Sequence, residues 1–285
     1  MPLYNIDPSL LELNTDFFGQ KKVNFMLIGK MGSGKTTMSI TGPRPVYYYG
    51  LDKGGSIGIS KRVNEGWLVV DSRFENDDPA NPRAWKGFQD DFNAKCARKT
   101  FNAFGSLVID STTGTSDICM HQILSERGRA GLVPSGEGFN KSDYSEQKNR
   151  LKNMLYKALS LPCSVIVTAH VDVFKDEATN RIFSSPFLTG SLKQQIPALF
   201  NEIYYMSAMA TSKGLLVEAI TQPDGVFDAR SSLGFGGTLA TREQPDVMKI
   251  IRKAGLKIPE AIPVGYYDTI PTEVSKLTTP QPTKP

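Results

Sequence analysis

The eight residues Gly29-Lys30-Met31-Gly32-Ser33-Gly34-Lys35-Thr36 constrain this chain more than any other stretch of it. They match G-x-x-x-x-G-K-S/T, and they follow the apolar run "VNFMLIGK" and precede a helix-compatible segment, the strand, loop and helix order that the pattern requires. Each residue type has a physical reason. Glycines let consecutive backbone N–H groups turn inward around a phosphate, and the helix start adds partial positive charge. Lys35 reaches the outer phosphates, and the Thr36 hydroxyl ligates Mg²⁺. Thr37, in the first helical turn, is placed to approach the inner phosphate. The expected ligands are therefore ATP and Mg²⁺.

The rest of the chain supplies a sheet for that loop. The β-rich runs "RPVYYYGLD", "GWLVVDS", "FGSLVIDSTTG" and "CSVIVTAHVD" are interleaved with the helical segments "AWKGFQDDFNAKCARK" and "EQKNRLKNMLYKALSL". This alternation predicts an α/β fold with a mostly parallel central sheet, right-handed crossovers and flanking helices. "EIYYMSAM" and "GLLVEAI", separated by the turn-like "TSKG", predict an antiparallel hairpin at the sheet edge. The expected division is an N-terminal extension over 1–22, a core over 23–265 and a Pro/Thr/Lys-rich tail over 266–285 expected to be disordered.

Composition narrows the partners and compartments. With 33 Lys plus Arg against 29 Asp plus Glu, the formal charge of +4 permits nucleic-acid binding without demanding it. Cys96, Cys119 and Cys163 are too few and too widely spaced for a disulfide framework or a CxxC metal site, which predicts reduced thiols. Neither a basic segment leading into an apolar run at the start nor a stretch of ~20 apolar residues is present, so a soluble, cytoplasmic protein without a membrane partner is expected.

Magnesium also needs an acid from a neighbouring strand, and "SLVIDS" places Asp110 at such a strand end. An N-cap Asp after a strand is the alternative role. The next residue is Ser111, where many motor ATPases carry a catalytic Glu, so the base that orients the attacking water must come from elsewhere. Asp52, ending the strand after the phosphate-loop helix, is one candidate, with a turn-forming Asp in "LDKGGS" as the alternative. His170, at the strand end "VIVTAH", is another polar group placed for the γ-phosphate or the water, with Thr168 as its companion. His121 reads as an ordinary helix residue.

Together, the phosphate loop, the strand-end acid, "VIDS" and "VTAH" resemble the ATPase core of RecA-like recombinases. More closely, the chain resembles short phage nucleotide-binding proteins of AAA type, which look like a core-only recombinase and act as ATP-dependent single-strand annealing proteins. The resemblance runs from about Val23 to Gly234 on "DKGGS", "VIDSTTG", "VTAHVD", "PFLTGSLKQQIPALFNEIYYM" and "ARSSLG". It implies a ring or filament of identical subunits with ATP at their interfaces, and single-stranded DNA gripped by loops after the fourth and fifth core strands. A separate single-strand-binding protein is a further implied partner.

Those loops would be "SERGRAGLVPSGEGFNKSDYSEQK" and "VDVFKDEATNRIFSSPFLTGSLKQQ". Arg127, Arg129, Lys141, Arg181 and Lys193 would meet phosphates, and Phe139, Phe174 and Phe183 would offer stacking faces. Ordinary solvated loops are the alternative. Arg230 in "DARSSLG" is the candidate finger entering a neighbour's site, a surface Arg being the alternative. Lys53 stands where many relatives carry an acid, so the family's catalytic Glu does not carry over and Asp52 takes the role only by proximity. A ring-type helicase or packaging-accessory motor, a small-molecule kinase and a nucleotide-binding interaction protein remain the competing readings.

Overall fold

The structure, a computed structural model, describes residues 22–132, 140–175, 177 and 182–263. All but residue 22 of the expected extension over 1–22, and the tail from 266, together with Phe139 and Arg181, lie outside the described residues.

In chain order the elements begin with β1 (Phe25–Gly29), α1 (Lys35–Ser39), β2 (Val46–Gly50), α2 (Ser60–Val63), β3 (Leu68–Asp71) and α3 (Ala84–Ala97). They continue with β4 (Ser106–Asp110), α4 (Thr112–Glu126), α5 (Lys141–Leu159), β5 (Ser164–Lys175), β6 (Ile182–Pro186) and α6 (Leu192–Gln195). Last come β7 (Glu202–Thr211), β8 (Gly214–Ile220), β9 (Arg230–Ser231), β10 (Arg242–Glu243) and α7 (Val247–Lys253).

The sheet order is β10-β8-β7-β1-β5-β4-β2-β3, with β6 on β5 and β9 on β7. The six strands from β7 to β3 pair in parallel, and β7 turns back antiparallel into β8, so the expected parallel sheet with an antiparallel edge hairpin is what forms.

Why these residues make a two-sided sheet is visible in β1, β2 and β4, where every position is buried. Side chains alternate faces along a strand, so a sheet covered on both sides needs continuous apolar runs. Met26, Ile28, Tyr47, Tyr49, Leu107 and Ile109 join one core with Trp85, Phe88 and Phe92 of α3, Ile118 and Ile123 of α4 and Leu151 and Leu155 of α5. Phe25, Leu27, Val46, Tyr48 and Val108 point the other way and meet Met38 of α1 and Val247, Ile250 and Ile251 of α7. Each such large side chain contributes roughly 1.5–3 kcal/mol of transfer free energy, which offsets ordering of the chain.

One expectation needs correction. The stretch after "VTAH" is not simply a loop: β5 continues to Lys175 and pairs antiparallel with β6, Val171 opposite Pro186 and Phe174 opposite Phe183. Facing aromatic and β-branched side chains favour such a ribbon, and the Phe174 and Phe183 rings stack with centroids 5.9 Å apart.

Candidate active site

The parallel strands carry their C-terminal ends to one edge of the sheet, and the phosphate loop emerges there from β1. Gly32 and Gly34 take φ of +71° and +87°, the left-handed region that favours glycine, so the loop's turn needs residues without a Cβ. At Gly29 the reason is proximity, since a Cβ would lie 2.5 Å from Ser33 Oγ and 2.9 Å from the Met206 carbonyl. Lys35 is buried at the base of the loop and donates to the carbonyls of Gly29 (3.0 Å) and Lys30 (2.9 Å). Burial lowers its pKa, against the pull of the Asp110 and Asp52 charges.

Beside it stands the acid of β4. Asp110 is buried and accepts hydrogen bonds from Thr36 Oγ1 at 2.6 Å, from Tyr48 Oη at 2.6 Å and from Thr168 Oγ1. β5 lies between β1 and β4 in the sheet, which is how Thr168 reaches this carboxylate. The cap of α4 is Ser111, whose hydroxyl accepts from the Gly114 N–H at 3.1 Å, so Asp110 does not spend itself as an N-cap.

Asp52 and His170 meet across 118 positions of sequence, His170 Nε2 lying 3.1 Å from Asp52 Oδ2. Ser111 Oγ donates to Asp52 Oδ1 at 2.7 Å. Burial alone would raise the Asp52 pKa, but the hydrogen bonds from His170 and Ser111, with the charges of His170 and Lys35, bring it below the ordinary value. Asp52 is thus a weak base with occupied oxygens. His121 is not in this group: it sits on α4 with Nδ1 3.0 Å from Asp77 Oδ2, and Asp77 also accepts from the N–H groups of Arg83 and Ala84 at the start of α3.

These residues wall one cavity of about 420 Å³, lined by Met31, Gly32, Lys35, Thr36, Asp52, Lys53, Asp110, Gly114, Asp117 and His170 among others. Its residues fit Mg-ATP. Thr36 and Asp110 bring two hard oxygens within 2.6 Å of each other, the donor type magnesium prefers. Among the described residues, the buried Ser33 hydroxyl in the loop has no hydrogen-bond partner. Lys30 and Thr37 are exposed on the flanks of the loop, where a longer ligand would pass.

Sequence reasoning missed Tyr48, Thr113, Gly114 and Asp117. In "VYYYG" all three tyrosines meet an acid, Tyr47 donating to Asp71 and Tyr49 to Asp91; strand alternation and sheet order put Tyr48 on the Asp110 side. Thr113 accepts the His170 N–H at 3.1 Å and so ties α4 to β5.

The expected DNA contacts divide into two groups. Arg127 and Arg129 converge on the fully buried Asp143, which accepts from Arg127, from Arg129 at 2.6 and 3.0 Å and from the Asn140 N–H at 2.7 Å. Loop order, rather than phosphate contact, is the role this geometry gives the two arginines. Lys141 is exposed at the start of α5.

The Arg129 hydrogen bonds hold the Asp143 carboxyl down at about 2, against burial. A depressed pKa stabilises the fold above the unfolded value near 4, and that contribution fades as pH falls through about 2. Asp143→Asn is expected to cost on the order of 1–2 kcal/mol at neutral pH. In urea titrations across pH, the gap to wild type should close between about pH 4 and pH 2; a gap unchanged with pH would show that charge is not the cause.

The second group lies on the β5–β6 ribbon side. Lys193 Nζ lies 5.1 Å from the Phe174 ring centroid, and Phe174, Phe183, Lys193, Pro197, Tyr205 and Asp228 help line a groove of about 450 Å³. Arg230 lies elsewhere. It pairs with Ile203, level with the start of β1, and its guanidinium donates to the carbonyls of Phe200 and of Pro197 (3.3 Å), at the opposite end of the strands from the phosphate loop. A neighbour would have to dock on that far end for Arg230 to enter its site.

The sequence profile described as an AAA domain matches residues 21–233, more than half of the chain. No curated protein matches. Among solved structures, the flagellar accessory protein FlaH of Methanocaldococcus jannaschii is 12% identical, with 75% of this chain and 84% of that one covered and a TM-score of 0.33. A KaiC-like protein of Pyrococcus horikoshii OT3 is 14% identical, with coverages of 70% and 78% and a TM-score of 0.36. Among the described residues no helix is long and apolar enough to cross a membrane.

Proposed function

Because the chain belongs to the AAA domain family of P-loop ATPases, we propose that it couples Mg-ATP hydrolysis to single-stranded DNA, promoting annealing or strand pairing in phage-type recombination. The observation that carries this reading is the continuity of β5. Its residue His170 lines the nucleotide cavity, and four residues on, Phe174 lines the aromatic and lysine groove.

A strand that touches both sites gives the nucleotide a way to favour one setting of the groove over another. ATP acts only if it binds the DNA-gripping state better than the other, so the γ-phosphate must be felt at His170. The Phe187 N–H donates to the His170 carbonyl at 2.7 Å, which fastens the returning end of the ribbon to the same residue. Phe174, Phe183 and Lys193 combine a π-face and a cation, the pairing that grips an unstacked base and its phosphate without reading sequence.

Within the cavity, Lys35 would hold the outer phosphates, and Thr36 with Asp110 would hold Mg²⁺. Held there, the metal would supply positive charge to neutralise the outer phosphates. Ser111 and His170 keep Asp52 in place, and the assembly of identical subunits implied by the family resemblance would bring Arg230 of one copy towards another's site.

ATP hydrolysis measured with Mg²⁺, with and without a poly-dT oligonucleotide across a salt series, tests the proposal. Stimulation is expected at low salt and should fade as salt rises, and Phe174→Ala together with Lys193→Ala should remove most of it while DNA-free turnover stays near wild type. Turnover indifferent to DNA would sink the reading, and unwinding of a forked duplex would favour a ring motor.

A further inference from the structure

The cavity contains three carboxylates whose situations differ. Asp110 accepts three hydroxyl hydrogen bonds, and Asp52 is held by Ser111 and His170. Asp117 opens onto the same cavity, yet among the described residues no hydrogen bond or ion pair reaches its carboxylate.

Its position follows from α4. The Ser111 cap starts the helix at the edge of the site, and Gly114 presses its backbone against the end of β2: a Cβ there would lie 2.4 Å from Asp52 Oδ1 and 2.5 Å from the Leu51 carbonyl. Residues three apart share a helix face, so the approach that needs glycine at 114 brings Asp117 to the same wall one turn later.

We propose that Asp117 is the carboxylate that orients the attacking water and takes its proton. This rests on the ATPase reading above. In the step, the water oxygen bonds to the γ-phosphorus while the bond from that phosphorus to the β–γ bridging oxygen breaks, its electron pair leaving with ADP. The water proton passes to an Asp117 oxygen and from there to solvent at the cavity mouth. Asp52 is then a positioning residue, acting through Ser111 and His170.

The charges that face Asp117 agree with this division. Around the cavity they are Asp52 and Lys53 in the turn after β2, Asp110 ending β4, His170 on β5, Lys35 at the start of α1, and His121 on its own helix. Asp117 is exposed at the cavity wall; partial desolvation there, together with the Asp52 charge, shifts its carboxyl above the ordinary value against the pull of His121 and His170, whereas that of Asp52 is held below. A carboxylate that opens onto the cavity with no donor attached is the better placed of the three to accept the water's proton.

The experiment compares full-length wild type, Asp117→Asn and Asp52→Asn in steady-state ATP hydrolysis from pH 5 to 9, with titration of a fluorescent ATP analogue and a thermal melt for each. Asp117→Asn is expected to lower kcat by roughly 10²–10⁴-fold, with KM and analogue affinity within about twofold of wild type. It should also abolish the acidic limb of the kcat profile. Its Tm should equal or exceed that of wild type, because an unpartnered charge has been removed.

Asp52→Asn should lower kcat while keeping the acidic limb. If wild type turns over ATP and Asp117→Asn keeps both its kcat and its acidic limb, the assignment is overturned and the ATPase reading stands. A wild type that binds the analogue without turning over ATP would defeat both together.

Discussion

Lys35→Ala is expected to abolish ATP turnover, with kcat lower by on the order of 10³-fold or more, because the only buried cation of the phosphate loop faces the charge that develops on the outer phosphates. Affinity for a fluorescent ATP analogue should weaken as well, since the ammonium also meets the ground-state phosphates. The fold should survive. Burial already disfavours the charged lysine, and the change removes only two hydrogen bonds, those to the carbonyls of Gly29 and Lys30. Hydrolysis at the wild-type rate by a variant with an unchanged melting curve would remove the phosphate site from this part of the molecule.

Asp110 should separate chemistry from stability. Asp110→Ala withdraws the acceptor of three hydroxyl groups, on Thr36, Tyr48 and Thr168, at a position that is 2% exposed. Buried donors left without an acceptor each cost about 1–3 kcal/mol, and partial rearrangement lowers the sum, so a loss of roughly 3–5 kcal/mol is expected in urea denaturation. Asp110→Asn keeps an acceptor oxygen of the same shape and should lose less than half of that. Both variants should nevertheless fail in Mg²⁺-dependent hydrolysis, because the neutral amide is a poor partner for the cation. An Asn variant that works at wild-type Mg²⁺ concentration would deny Asp110 its metal role.

The loop from Gly29 to Thr36 and the acid at Asp110 are legible without coordinates, because each requirement acts over a few consecutive residues. A turn needs glycine where φ is positive, and a strand end needs an apolar run before it. The same holds for the sheet: runs such as "SLVID" can only be buried on both faces. Less was legible where two readings differ by pairing alone. The alternation in "VDVF" and "IFSSP" is compatible with a loop or a ribbon, and only the register that sets Phe174 against Phe183 decides. Arg127 and Arg129 look like free cations until Asp143 arrives from the next helix.

By itself the sequence determined that a glycine-rich loop lies between a strand and a helix, that the sheet is mostly parallel, and that an acid ends another strand; that this strand is the next but one to β1 came from the sheet order. Tertiary structure alone decided how that acidity is shared. Thr36 lies 74 positions from Asp110, and Asp52 lies 118 positions from His170, so which carboxylate is saturated and which stays open depends on strand order and on the close approach at Gly114. Spacing along the chain carries no information about contacts of that range, because they are made only when separate elements pack.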